Sequence, residues 1–288
     1  MGGTIRFGKR FLARRRKRQP GRSRSPAKSQ PCGQRQFGLD ERGKGRLNCN
    51  MKNDLPKCIY CCDSKGAFGT KEHFFPESLG GGEWSVLPDG CMCDKCQNYF
   101  GSKVEQPVLS DWPFCFVRLI MAIPTKTKKA PKMNTNLGSI AAFRLPGYFQ
   151  SSFDVRVNPP LEIPASPRDR RLVCRALVKM AIGPLVSSDS VDIFAERFKA
   201  ARQFTRYGDA KIKWWYLEQV NLKAMMEALK LGADARKETV KLETVYLDGI
   251  PAFFHLKYFF LKIVTPIEPH FEMPLPRELP EGTHIYHV

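Results

Sequence analysis

Histidine is scarce in this chain. There are five in 288 residues, and His73 is the only one before His255. A general base or metal ligand of that type in the first half therefore has one candidate. Acidic residues are also thin at the start: residues 1–50 hold 2 Asp/Glu against 15 Lys/Arg, giving +13, whereas the remainder holds 26 against 32, giving +6. No stretch approaches the roughly 18 uninterrupted apolar residues that a membrane-spanning helix needs. The leader has no apolar h-region, which excludes a secretory signal. Ten cysteines are too few in a chain of this length for the framework of a small disulfide-built domain. Six of them fall between positions 58 and 96 at metal-ligand spacing, which fits a reducing compartment. The expected location is the cytoplasm, in a prokaryotic host. No internal repeat is present.

Residues 1–50 have few apolar positions and no sustained period, so they read as a basic leader that is disordered in isolation. Arg14, Arg15, Arg16, Lys17 and Arg18 form its densest run. Such an arm would hold nucleic acid through phosphate contacts and counterion release, without choosing a sequence. Its Arg-rich, acid-poor composition also suits a transit peptide, although the apolar residues make a poor amphipathic face. A third reading starts translation at Met51 and leaves the leader untranslated.

The informative segment is 58–105. Two Cys-x-x-Cys pairs, Cys58/Cys61 and Cys93/Cys96, are separated by 31 residues. Each short turn aims two sulfurs at one point, the usual way of presenting four thiolates to a tetrahedral zinc. Cys62 and Cys91 lie beside these pairs and leave the register open. Glu72-His73 lies in the spacer, followed by the bend Gly80-Gly81-Gly82. The pattern reads as a strand reaching Glu72-His73, a return strand, and a helix opened by the second pair. His73 could serve as a catalyst, as a zinc ligand or as a packed side chain, and Glu72 as a ligand or as a solvated strand carboxylate.

The ordered combination EHFFPESLGG followed by CDKC resembles the HNH endonuclease family, in the branch with two zinc-binding CxxC pairs. The resemblance implies a zinc-bearing ββα-metal, treble-clef-like unit that hydrolyses phosphodiester bonds. It gives His73 the role of general base, taking a proton from the attacking water. It makes Glu72 a ligand of a catalytic Mg²⁺ or Mn²⁺. The family's middle asparagine, which orients the histidine, has Asp89 as its nearest match. Gln97 stands where the family has His or Asn after the second pair, as the other cation ligand. Those two departures leave an alternative: a non-catalytic, zinc-containing nucleic-acid-binding protein with a degenerate HNH site. The implied partner is nucleic acid, DNA rather than RNA, and no membrane.

Past this unit the sequence reads as an α+β module. A helix over 94–105 leads into an apolar core segment over 107–123 and a lysine-rich loop over 125–132. Weak alternation over 140–165 suggests short strands ending at prolines. Ser166-Pro167 reads as N-cap and first residue of a helix over 167–182, stopped at Gly183-Pro184. Its basic stripe, Arg168, Arg171, Arg175 and Lys179, reads as a solvated face. A second helix is expected over 190–206, ending before Gly208, and an antiparallel sheet over 211–264, interrupted by a short helix at 221–231. Asp248-Gly249 between apolar runs predicts a type I′ hairpin, and His255 reads as a packed strand residue. The expected organisation is therefore α+β throughout: leader 1–50, zinc-stapled unit 51–108, accessory module 109–288.

Overall fold

The computed structural model describes residues 4–6, 56–121, 123–125, 128–135, 138–144, 151–153, 162–164, 166–186, 188, 191–209, 211–231, 240–272 and 279–288. The run Arg14–Arg18 and Met51 lie outside them. Within these bounds the chain is a mixed helix-and-sheet structure.

Asp94–Phe100 is α1, whose first turn carries the second cysteine pair, with Cys93 at the N-cap and Cys96 inside the helix. Asp94 ties this turn to the spacer, since the Thr70 hydroxyl and amide both donate to its carboxylate at 2.6 and 3.1 Å. The helix path continues through a π-helical turn, Gly101–Glu105, into α2, Gln106–Leu109, and α3, Phe114–Ile120. Every residue of α3 is buried; six are apolar, and the seventh, Arg118, donates to the Leu109 carbonyl at 3.2 Å.

Arg170–Val186 is α4, and it departs from expectation at both ends. Asp169, not Ser166, caps it, accepting the Leu172 amide at 2.8 Å. The helix also runs through Pro184 to bury Leu185 and Val186, so tertiary packing overrides the local stop signal. Nor is α4 an amphipathic surface helix. From Val173 to Val186 all but Pro184 are buried, Arg175 and Lys179 included. Of its basic stripe, Arg175 and Lys179 face protein, Arg171 is half-buried, and Arg168 is exposed ahead of the helix.

Lys199–Tyr207 is α5, entered through a 3-10 turn at Glu196–Phe198. It starts later than its periodicity suggests because the Asp192 carboxylate accepts the Phe194 amide, forming a turn at 192–194. The C-terminal stop at Gly208 is where the sequence put it, with φ of +67°. Lys211 is likewise drawn into a turn by the Asp209 carboxylate, so the next strand begins at Trp215 instead of Lys211. Leu222–Leu231, α6, opens on Asn221, which accepts the Ala224 amide.

The C-terminal sheet has five antiparallel strands. Val240–Leu247 and Ile250–Tyr258 form the expected hairpin, with φ of +50° at Asp248 and +78° at Gly249, as a type I′ turn requires. Leu261–Pro266 pairs with the second hairpin strand, Trp215–Val220 pairs with that, and Thr283–His287 closes the far edge. His255 is a strand residue opposite Glu243, with burial lowering its pKa, as a packing role implies. Short strands at Lys132–Thr135, Gly138–Arg144 and Ser151–Phe153 form a separate small sheet.

One hydrophobic core runs through both halves, from Ile59 and Phe75 to Tyr258 and Ile263. Phe75 meets Tyr258 edge-on at 5.9 Å, and Phe204 stacks on Trp214 at 4.7 Å. The tightest junction is Gly183 of α4 against Phe74: a Cβ on Gly183 would lie 2.2 Å from the Phe74 Cβ and Cγ. Gly183→Ala is therefore expected to destabilise the protein by about 1–3 kcal/mol through overpacking, although alanine is ordinarily the better helix former by about 1 kcal/mol. Urea denaturation measures this, and a more stable variant would show that the helix is not pressed onto Phe74.

Glu218 is a second test of this core. It is fully buried, the Trp112 indole donates to one carboxylate oxygen at 2.5 Å, and the other oxygen has no partner among the described residues. Burial pushes its pKa from 4.5 up to about 8, with the indole bond opposing. The folded state thus holds this proton more tightly than the unfolded chain. The contribution to stability is full below about pH 4.5 and is lost as the pH rises through 8. Glu218→Gln should remove that dependence, at most about 1.4 kcal/mol per pH unit across the window. Identical stability–pH profiles for the two proteins would contradict it.

Candidate metal centre and active site

The segment 56–93 contains little regular structure. Ile59 donates to the Cys91 carbonyl at 2.9 Å and Asp94 to the Ala67 carbonyl at 2.9 Å, which close the loop at two points. Where two strands were expected, a single antiparallel bridge joins His73 to Val86. It is flanked by bonds from the Phe74 amide to the Ser85 carbonyl and from the Leu87 amide to the Glu72 carbonyl. The bend that joins the two sides needs its glycines: Gly80 has φ of +99°, and a Cβ on Gly81 would lie 2.2 Å from the Phe75 carbonyl oxygen.

Cys58, Cys61, Cys93 and Cys96 converge, with all four sulfurs within 4.8 Å of one another. Cys61 and Cys93 are 3.6 Å apart. Four sulfurs at the tetrahedral Zn–S distance are about 3.8 Å from each other, so the donor set and its spread fit a structural zinc. Cys62 and Cys91 are not in the cluster. Hydrogen bonding from Cys96 lowers the Cys58 pKa to about 4, while burial pushes Cys61 up to about 11. Positive charge stands close by: Arg206 Nε donates to Cys96 Sγ at 3.2 Å, and Arg202 Nη1 to Cys62 Sγ at 2.9 Å. Both arginines come from α5 and would offset the negative charge of a four-thiolate centre.

The remaining predicted residues are less gathered. His73 is half-buried, and its imidazole makes no hydrogen bond or ion pair among the described residues. Asp89 is exposed on the rim of a small cleft also lined by Thr70, Lys71 and Glu72, and it makes no bond to His73. The Gln97 side-chain amide donates to the Lys71 carbonyl at 2.9 Å. Glu72 is 9% exposed, and its Oε1 accepts from Lys179 Nζ at 2.5 Å. Lys179, 1% exposed, also donates to Glu105 and, at 2.9 Å, to the His73 carbonyl.

Burial works against the Lys179 ammonium, but Glu105 and Glu72 outweigh it and hold its pKa above the usual lysine value. Burial pushes the Glu72 pKa up and the neighbouring Glu105 charge adds to this, while Lys179 and the Gln97 side chain, which also reaches Glu72, pull it down. A divalent cation requires a hard oxygen set with room for water. Glu72 turned onto Lys179 and Gln97 turned onto a carbonyl do not fit that requirement. Among the described residues, the cysteines are the only cluster of three or more candidate metal-ligating His, Cys, Asp or Glu.

Sequence reasoning missed Lys179, Arg175, Arg202, Arg206 and Glu105. Arg175 reaches the Tyr99 hydroxyl of α1 at 2.7 Å and the Thr205 carbonyl of α5 at 3.1 Å. The one available signal was the i, i+4 stripe Arg171, Arg175 and Lys179, which fits a charged interface as well as a solvated face.

No helix among the described residues is long and apolar enough to cross a membrane. No curated protein and no solved structure matches the chain. The family model described as HNH endonuclease matches residues 58–113, the span that holds the cysteine cluster, His73 and α1. Over residues 58–113 this chain is thus similar to the HNH endonuclease family, in a segment built around four cysteines positioned to hold a metal ion.

Proposed function

We propose that the chain is a zinc-stapled HNH-type endonuclease that hydrolyses phosphodiester bonds in DNA. The observation that carries this reading is that the family match and the convergent cysteines fall on one segment, with His73 its only histidine. Zinc held by Cys58, Cys61, Cys93 and Cys96 fixes the ends of a loop that has little regular structure of its own. His73, next to Glu72 on the bridged ribbon, takes the proton from the attacking water. A ring free of other bonds among the described residues can accept that proton, which is the requirement for a general base. The basic leader, Arg14–Arg18 above all, adds phosphate contacts that carry no sequence preference.

A second reading has a specific observation behind it. Glu72 is paired with Lys179, and His73 has no carboxylate partner among the described residues, as in a unit that binds nucleic acid without cutting it. Labelled duplexes of DNA and of RNA separate the readings. Cleavage of the DNA duplex supports the nuclease; binding of either polymer without product supports the second reading. Cleavage of RNA alone would contradict the DNA assignment.

A further inference from the structure

Lys179 and Glu105, which neither the family resemblance nor the zinc site uses, enclose Glu72, the residue that the resemblance makes a cation ligand. We infer that Lys179 is the resident cation of the HNH unit: its ammonium, supplied by α4, fills the place beside His73 that Glu72 would otherwise offer to Mg²⁺ or Mn²⁺. This rests on the HNH reading only for the role that reading gives Glu72.

The geometry is that of a finished site. An ammonium has three donors, and Lys179 spends them on Glu72, Glu105 and the His73 carbonyl. The side chain is 1% exposed, so water does not compete for those bonds. The two carboxylates and the backbone oxygen form the type of oxygen set that a hard cation prefers. A divalent ion on the same Glu72 oxygen would stand within a few ångström of a buried ammonium, where repulsion is poorly screened.

The position of the lysine is fixed from outside the cluster. Arg175, one turn earlier on α4, is bonded to Tyr99, Thr205 and Arg206. Gly183, one turn later, rests on Phe74, two residues from Glu72. Both contacts fix the stretch of α4 backbone from which the Lys179 side chain reaches the two carboxylates. The consequence is that the folded protein takes zinc at its cysteines and no divalent ion at Glu72, and that positive charge next to His73 is built into the chain.

Ion binding tests this independently of catalysis. Zinc-loaded full-length protein is titrated with Mn²⁺, and free Mn²⁺ is followed by electron paramagnetic resonance. Wild type and Glu72→Gln should give the same titration. Mn²⁺ bound by wild type and lost in Glu72→Gln would overturn the inference. Lys179→Ala frees both carboxylates and should gain one Mn²⁺, at least about tenfold tighter than wild type, and Lys179→Ala/Glu72→Gln should lose it again. A folded Lys179→Ala protein that keeps its zinc and gains no Mn²⁺ would also overturn it. Should Lys179→Ala not fold, the comparison of wild type with Glu72→Gln still decides. Failure of the nuclease reading shows separately, as absence of cleavage by a protein that titrates as expected.

Discussion

Removing the metal from the cysteine cluster, by chelation or by Cys93→Ser/Cys96→Ser, is expected to unfold residues 58–113 and to loosen the core behind them. The segment before α1 has one isolated bridge and two 3-10 turns of three residues each, so backbone pairing alone cannot hold it. A structural zinc on cysteine ligands is worth about 10–16 kcal/mol near neutral pH, as much as the whole stability of an ordinary domain. The damage will not stay local. Tyr60 packs on Phe100 at 4.6 Å, and Phe75 on Tyr258 of the sheet, so the loop forms one wall of the shared core. The checks are zinc stoichiometry, expected at one per chain, and proteolysis within 58–113. Full zinc retention in the double serine variant would contradict the assignment of the ligands.

Local chemistry was readable from the sequence. The two CxxC turns, the helix that begins at Asp94, the Asp248-Gly249 hairpin and the Gly208 stop each depend on residues close together along the chain. They came out where the residues put them. Side-chain capture of a backbone amide was harder to see, since any Asp can do it. Asp192 delays α5, Asp209 delays the following strand, and Asp169 displaces Ser166 as a cap.

What the sequence hid most completely was the partner of Glu72, which is 107 positions away. A lysine on an amphipathic stripe looks the same whether it faces water or a buried carboxylate pair. The distinction lies in tertiary packing, here the close approach of Gly183 to Phe74. The same limit applies to Arg175 and Arg206, whose partners are a tyrosine and a cysteine of the cysteine-cluster unit.

His73→Ala is expected to lower the rate of DNA cleavage by about 10²–10⁴-fold, the usual contribution of a general base. Zinc content and DNA binding should not change. The substitution leaves all four cysteines in place, and the contact from Lys179 goes to the backbone carbonyl of residue 73, which alanine retains. The fold argument and the chemical argument thus separate at this one side chain. The decisive measurement is the initial rate of supercoiled-plasmid nicking by zinc-loaded wild-type and His73→Ala proteins side by side. The account predicts nicking by wild type and a loss of at least about a hundredfold in the variant; equal rates in the two proteins would contradict it.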